Sequence, residues 1–438
     1  MERPFSPRLK KKADGFGREL EAVEAAAFIG EGGFDMKAYE TAVRDAVMAE
    51  GRRFLETFLN GALPEMLGVA RMPGSKGTRS RRVMTSMGEV ALQRAYIPGR
   101  PCPMDEALGL TEGCTAEAAS MMCFASAMSE SYDKGEAAMR KLAGFDVAGR
   151  TMQRLVNAVS PRMEAVGADQ AHEAFPRATA VVNTELDMTG VPMRPEDLAG
   201  TKGRDGDPRK KQIKVGVSFR QERDGDGRLG VVKSSIAHTV AYEDADAFGD
   251  RLYGWQTRRG LADGCLHVVT ADGAPWIWEL VSRVFPGAIQ IVDMYHANEH
   301  LMGLCRLLHQ DKDGVKAAEL FETRRRMLKA HGAGCVIRYF EEHAQGHPNE
   351  AEITAGLNYF RNNIDRMQYG KFRKCGYVVG SGAVEGSCRS LVNQRADLSG
   401  QRWHPLGALN ILRIRGMIID GIHEKYWRAR GMVCCKPA

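Results

Sequence analysis

Residues 265–293 read CLHVVTADGAPWIWELVSRVFPGAIQIVD, and their pattern decides the fold. Cys265-Leu266-His267-Val268-Val269-Thr270 is an apolar run of strand length that ends at Asp272, with Gly273 behind it. Pro275 stands where a helix start favours proline, and the helix predicted from it runs to Phe285. Ala288-Ile289-Gln290-Ile291-Val292 is a further strand, ending at Asp293. Upstream, 179–187, 212–219 and 229–240 read as three consecutive strands and 243–261 as a helix. Three strands, a helix, then strand, helix, strand imply one mixed sheet with helices on its faces.

Outside this stretch the periodicity is helical. Residues 1–70 carry apolar positions at helix-like intervals, among them Tyr39, Val43, Val47, Phe54 and Phe58. Residues 81–85 and 90–96 flank Ser86-Met87-Gly88-Glu89 as a short hairpin whose first arm and approach carry Lys76, Arg79, Arg81 and Arg82. Such a hairpin suits phosphates, or is a solvated charged turn. From 115 to 166 helix returns. A break at Ala143-Gly144 precedes a second helix with Arg150, Gln153, Arg154 and Asn157 on view. That is the layout of a helix-turn-helix reader, and equally of a plain αα-hairpin. After Asp293 no strand signal returns; 297–371 and 380–419 read as helical.

A chain of 438 residues with 44% hydrophobic and 26% charged residues is an ordinary globular protein able to bury more than one core. The net charge of +6 suits a nucleic-acid partner without requiring one. The basic, polar start does not read as a signal peptide, and no charge-free stretch reaches membrane-spanning length. The ten cysteines form no Cys-x-x-Cys motif, so neither a zinc ribbon nor a disulfide scaffold is expected, and a reducing cytosol is.

The chemistry-bearing residues are acids. Asp187 in Glu185-Leu186-Asp187 and Asp272 in Ala271-Asp272-Gly273 each close an apolar strand, and Glu385 in Val384-Glu385-Gly386 lies in a helical run. A lone Asp at a strand end is more often a turn former or helix cap. Two such acids with a helical third instead suit a pair of hard divalent cations, Mg²⁺ or Mn²⁺. Arg389, one turn beyond Glu385, pairs with it or lies beside a phosphate. His296-Ala297-Asn298-Glu299-His300 matches the zinc-peptidase pattern His-x-x-Glu-His, although it follows directly on a strand. The alternative has Asp293 and His296 lining the edge of the acidic site.

Five motifs in order carry a family resemblance: 187–193 (DMTGVPM), 272–278 (DGAPWIW), 293–301 (DMYHANEHL), 380–385 (GSGAVE) and 400–403 (GQRW). From about residue 83 to 427 the chain resembles bacterial insertion-sequence transposases of the Kra type, relatives of the Mutator-like group. The resemblance implies a ribonuclease H-like α/β core with an all-α insertion before the last acid. A mainly α N-terminal DNA-binding region with a short β hairpin would precede it. Asp187, Asp272 and Glu385 would be the catalytic, metal-binding triad, with Asp293 and His296 in support. Relatives often carry paired cysteines around the basic hairpin; here 71–77 holds none and Cys102 remains beyond it, so zinc is expected to be absent.

The resulting layout is a helical segment 1–70, a hairpin element 71–112, a helix-turn-helix-like region 113–175, the core 176–296, the insertion 297–375, C-terminal helices 376–428 and a tail 429–438. DNA contacts are expected from Arg79, Arg81, Arg82, Arg150, Arg154 and Arg402. Lys202, Arg204, Arg209, Lys210 and Lys211, in a glycine-rich loop before the second core strand, clamp phosphates or are solvated. The expected partners are double-stranded DNA at element ends and target, and further copies of the chain, in a cytoplasmic, nucleoid-associated setting with no membrane. Two other classes stay open: a DNA-binding protein that has lost transposition, and a zinc hydrolase using His296 and His300.

Overall fold

The computed structural model describes residues 28–29, 33–70, 73–170, 175, 181–198, 209–261, 265–310 and 314–432. Lys202 and Arg204 lie outside them, as do residues 1–27 of the first helical segment. The chain forms two units, 1–163 with 423–438, and 164–422.

In the first unit, β1 (Phe28–Ile29) pairs with β2 (Gly33–Phe34). Helix α1 (Met36–Asn60) begins at Asp35, whose carboxylate accepts the Ala38 N–H as an N-cap. After α2 (Ala62–Met66), β3 (Thr78–Thr85) and β4 (Gly88–Ala95) form the anticipated hairpin. Gly88 turns it with φ of +104°. Leu59, Leu63, Val83, Val90, Leu92 and Met104 of α3 (Pro103–Ala107) close a core beneath it. Helices α4 (Ala116–Met128), α5 (Tyr132–Ala138) and α6 (Gly149–Gln170) follow. Between the last two, a π-turn at Met139–Ala143 ends on Gly144 at φ of 79°.

The second unit is built on a six-stranded sheet. Its elements are β5 (Val181–Pro192), β6 (Lys210–Arg223), β7 (Leu229–Val231), β8 (Ala237–Ala241), α7 (Ala245–Arg258), β9 (His267–Ala271), α8 (Pro275–Val284) and β10 (Ile289–Val292). Strands run in the order β10-β9-β5-β6-β7, with β8 also on β6. β10, β9 and β5 are parallel, and β6 is antiparallel to β5, β7 and β8. The sheet is therefore mixed. β9 is buried along its whole length, as a parallel strand covered on both faces should be. One covering layer is α7 and α8: Leu252 of α7 lies over Gly216 of β6, where a Cβ would come within 3.1 Å of it.

Among the strand boundaries that differ from the sequence reading, two have a clear cause in pairing. β5 continues past Asp187 to Pro192 because it keeps pairing with β6 as far as Pro192↔Lys210, although its pairing with β9 stops at Leu186↔Ala271. The run 229–240 is broken by a 3₁₀ turn at Lys233–Ser235, so β7 and β8 pair with β6 separately. After β10 come α9 (Met294–Leu308), α10 (Val315–His331), α11 (Ala333–Ala344), α12 (Glu350–Asn362) and α13 (Tyr369–Lys374), a helical block whose apolar faces join the sheet core. Then α14 (Gly382–Ser387), a π-turn at Cys388–Asn393, α15 (Gln394–Ala396) and α16 (Pro405–Ile419) complete the unit, and α17 (His423–Arg430) belongs to the first. No helix of the described residues is long and apolar enough to cross a membrane.

His267, at the start of β9, reports on the integrity of this core. Thr184 Oγ1 accepts from Gln256 Nε2 (2.6 Å), so its own hydroxyl proton is free for His267 Nε2 at 2.8 Å. That pairing needs a neutral imidazole, and burial pushes the His267 pKa down to about 4. A folded-state pKa below the ordinary 6.5 gives stability that is full above pH 6.5 and is lost as pH falls towards 4. The loss should reach about 3 kcal/mol. Urea unfolding between pH 7 and 4 should therefore show a flatter acid limb for His267→Gln than for wild type; parallel curves would contradict this.

Candidate metal centre at the carboxyl edge of the parallel strands

The parallel register sets the site. Leu186 pairs with Ala271, and Ala271 with Val292, so the next residues, Asp187, Asp272 and Asp293, form one row across β5, β9 and β10. Ligands in α/β sheets sit beyond such strand ends. Asp272 is 8% exposed and Asp293 fully buried, while Asp187 is half-buried. Gly273, at φ of +91°, lets the chain turn after Asp272, whose Oδ1 accepts the Ala274 N–H at 2.9 Å. The Tyr359 hydroxyl of α12 donates to the Asp272 carbonyl at 3.0 Å.

Asp293 is tied more tightly. Its Oδ2 accepts from the backbone N–H of His296 (3.1 Å) and lies 3.0 Å from His296 Nδ1, capping α9, while Oδ1 accepts the Ser381 N–H at 2.8 Å. Burial works against its ionisation, yet these hydrogen bonds outweigh burial and hold the carboxyl below its usual range. His296 in turn is held above its ordinary value, first by its hydrogen bond to Asp293 and, against burial, by the charges of Asp293, Asp272 and Asp187.

The third acid arrives from the opposite end of the unit's sequence. Ser381 Oγ donates to Glu385 Oε1 at 2.7 Å, and the Val384 N–H at the start of α14 donates to Glu185 Oε2 at 2.8 Å. α14 gives way to a π-turn, a distortion often found at functional sites. From it the Cys388 thiol reaches Asp187 Oδ2 at 3.6 Å. Burial first, and then the Asp187 charge, raise the Cys388 pKa, which keeps the thiol protonated and a donor. The far end of α14 is fixed by Ser387, whose Oγ lies 2.8 Å from His238 Nε2; His238 Nδ1 is 2.5 Å from Asp420 Oδ1.

Burial raises the Asp187 pKa; the Met188 N–H opposes that rise, and the Asp272 charge adds to it. Among the described residues neither Asp187 nor Glu385 forms an ion pair with lysine or arginine. Hard oxygen donors, with no lysine or arginine paired to Asp187 or Glu385 among the described residues, suit a divalent cation held partly by its own water. Donor atoms of Asp293, His296 and Glu385 lie within 4.8 Å of one another, and neither Asp187 nor Asp272 is in that group. His300 is not in that group; its ring stacks on Tyr359 with centroids 3.6 Å apart.

The remaining expected residues are scattered. Arg389 is exposed on the π-turn and, among the described residues, makes no ion pair with Glu385. Lys210 pairs with Asp397 at 2.9 Å, Lys211 lies over the Tyr242 ring, and Arg402 lines a cleft of about 210 Å³ with Arg209 and Lys210. In the first unit Arg79 stacks on Tyr96, Arg81 pairs with Asp105 and Arg82 with Glu89; Arg150 and Arg154 are exposed on α6. Sequence reasoning passed over Glu185, Cys388 and Tyr359. Glu185 alone had a usable signal: an acid inside an apolar strand, two residues before Asp187 and so on the same face. It is 1% exposed, and burial raises its pKa to about 7.

No protein-family model matches the chain, and no curated protein matches it. Among solved structures, the Drosophila P element transposase strand transfer complex is similar at 9% identity, over 73% of this chain and 82% of that one, with a TM-score of 0.27. A likeness at that level carries no argument about this chain.

A Cβ at position 273 would lie 2.9 Å from Tyr359 Cε2, on a backbone at positive φ. Gly273→Ala should therefore cost about 1–3 kcal/mol in urea unfolding and displace the Asp272 turn. An unchanged urea midpoint would show that the turn does not need glycine.

Proposed function

We propose that this protein is a DDE transposase, with Asp187, Asp272 and Glu385 as the metal-binding triad. The observation that carries the reading is the row of acids where the parallel ladders of β5, β9 and β10 end, faced by a helix bearing a glutamate. On this reading Asp187, Asp272 and Glu385 hold two divalent cations. The cations would supply activation of a water or a 3′-hydroxyl and stabilisation of the departing phosphate oxygen. The chain's own residues do the rest. Asp187 and Asp272 offer oxygens fixed by backbone N–H groups, and Glu385 is steadied by Ser381. Asp293 orients His296 beside the row through the contact to its Nδ1 at 3.0 Å.

The reading extends to hydrolysis of one strand at the end of an insertion sequence of the Kra type, followed by in-line attack of the freed 3′-hydroxyl on target DNA. Arg209, Lys210 and Arg402 line a cleft suited to backbone phosphates. The hairpin cations and exposed Arg150 and Arg154 are the proposed end-reading surface, and self-association on paired ends is part of the same proposal. The zinc-hydrolase reading has less support, since His300 is engaged by Tyr359.

The test is nicking of DNA carrying the sequences that flank this chain's own gene, in Mg²⁺ or Mn²⁺, with wild type beside Asp272→Asn. We expect boundary cleavage by wild type, a loss of more than about 100-fold in the variant, and DNA binding by both. Binding without cleavage by either protein would contradict the enzymatic reading; equal cleavage would remove Asp272 from the site.

A further inference from the structure

Glu185 is an acid in an expensive place. It is 1% exposed in the middle of β5, where an apolar side chain would cost nothing to bury. Its carboxylate is spent on backbone: Oε2 accepts the Val384 N–H at 2.8 Å. That N–H is at the open end of α14, where no intrahelical carbonyl satisfies it. Glu185 lies two residues before Asp187 on the same face of β5, and Val384 is the residue before Glu385. One side chain thus spans the strand of the first acid and the helix of the third.

α14 has six residues and runs on through the π-turn into α15. Its continuation packs Leu391, Val392 and Ala396 into the core, while its first turn, which carries Glu385, is set by Val384 and by hydrogen bonds. Its other ties act at its edges: Asp293 on the Ser381 N–H before it, and His238 on Ser387 at its end. Glu185 is the tie at the turn that carries Glu385.

We propose that Glu185 is a positioning residue that sets the separation of Glu385 from Asp187, and with it the affinity of the site for a divalent cation, by holding the N–H group of Val384. The proposal rests on the metal-site reading above. Glu185 acts through its oxygen as an acceptor, so glutamine should replace it and leucine should not.

The experiment is Mn²⁺ binding to the full chain, followed by electron paramagnetic resonance, with urea unfolding in parallel. Wild type, Glu185→Gln, Glu185→Leu, Asp187→Asn and Glu385→Gln are compared. We expect Glu185→Gln to bind within about threefold of wild type, and Glu185→Leu to bind about 10–100-fold more weakly while its urea midpoint is unchanged or raised. Leucine binding Mn²⁺ like wild type, or acting only by lowering stability, would overturn the proposal while leaving the metal site intact. If Glu185→Leu does not fold, Glu185→Gln decides alone: wild-type affinity supports the acceptor role, and a tenfold loss overturns it. Wild-type affinity in both Asp187→Asn and Glu385→Gln would instead overturn the metal-site reading, and this proposal with it.

Discussion

The parallel register of β5, β9 and β10 is the constraint on which the rest of the unit depends. Because Leu186, Ala271 and Val292 are level, Asp187, Asp272 and Asp293 lie side by side where the parallel ladders end. Hydrogen bonding fixes that alignment and apolar packing buries it, so the carboxylates cannot relax apart into solvent. Burial first, and then the Asp272 charge, raise the Asp187 pKa. The surroundings read as answers to that cost. His296 contacts Asp293, backbone N–H groups cap the oxygens, and the Cys388 thiol donates to Asp187.

Much of this was legible in the sequence because strand and acid coincide. The runs before Asp272 and Asp293 are apolar, of strand length and closed by the acid itself, so both positions could be read directly. Asp187 was harder to place. Its strand does not end there, since β6 continues to pair with it; what ends is the parallel ladder to β9, which a single sequence does not display. The break between β7 and β8 was missed for a related reason: Lys233–Ser235 interrupts a run that still pairs, on both sides, with one strand.

What the sequence hid is the long-range wiring. Glu185 and Val384 are 199 residues apart, Asp187 and Cys388 201, and Asp272 and Tyr359 87. No periodicity links such partners, because each contact follows from how the helical block after β10 returns the chain to the sheet. The same return explains the fate of the His-x-x-Glu-His pattern. Asp293 captures His296 and Tyr359 captures His300, so two imidazoles at helical spacing serve different neighbours.

The central claim is that the acid row is a cation site completed by Glu385. Crystals soaked in Mn²⁺ and measured for anomalous scattering test it most directly. The account expects scattering peaks bounded by Asp187, Asp272 and Glu385. Manganese confined elsewhere in the unit, or none at the row in well-ordered crystals, would contradict it.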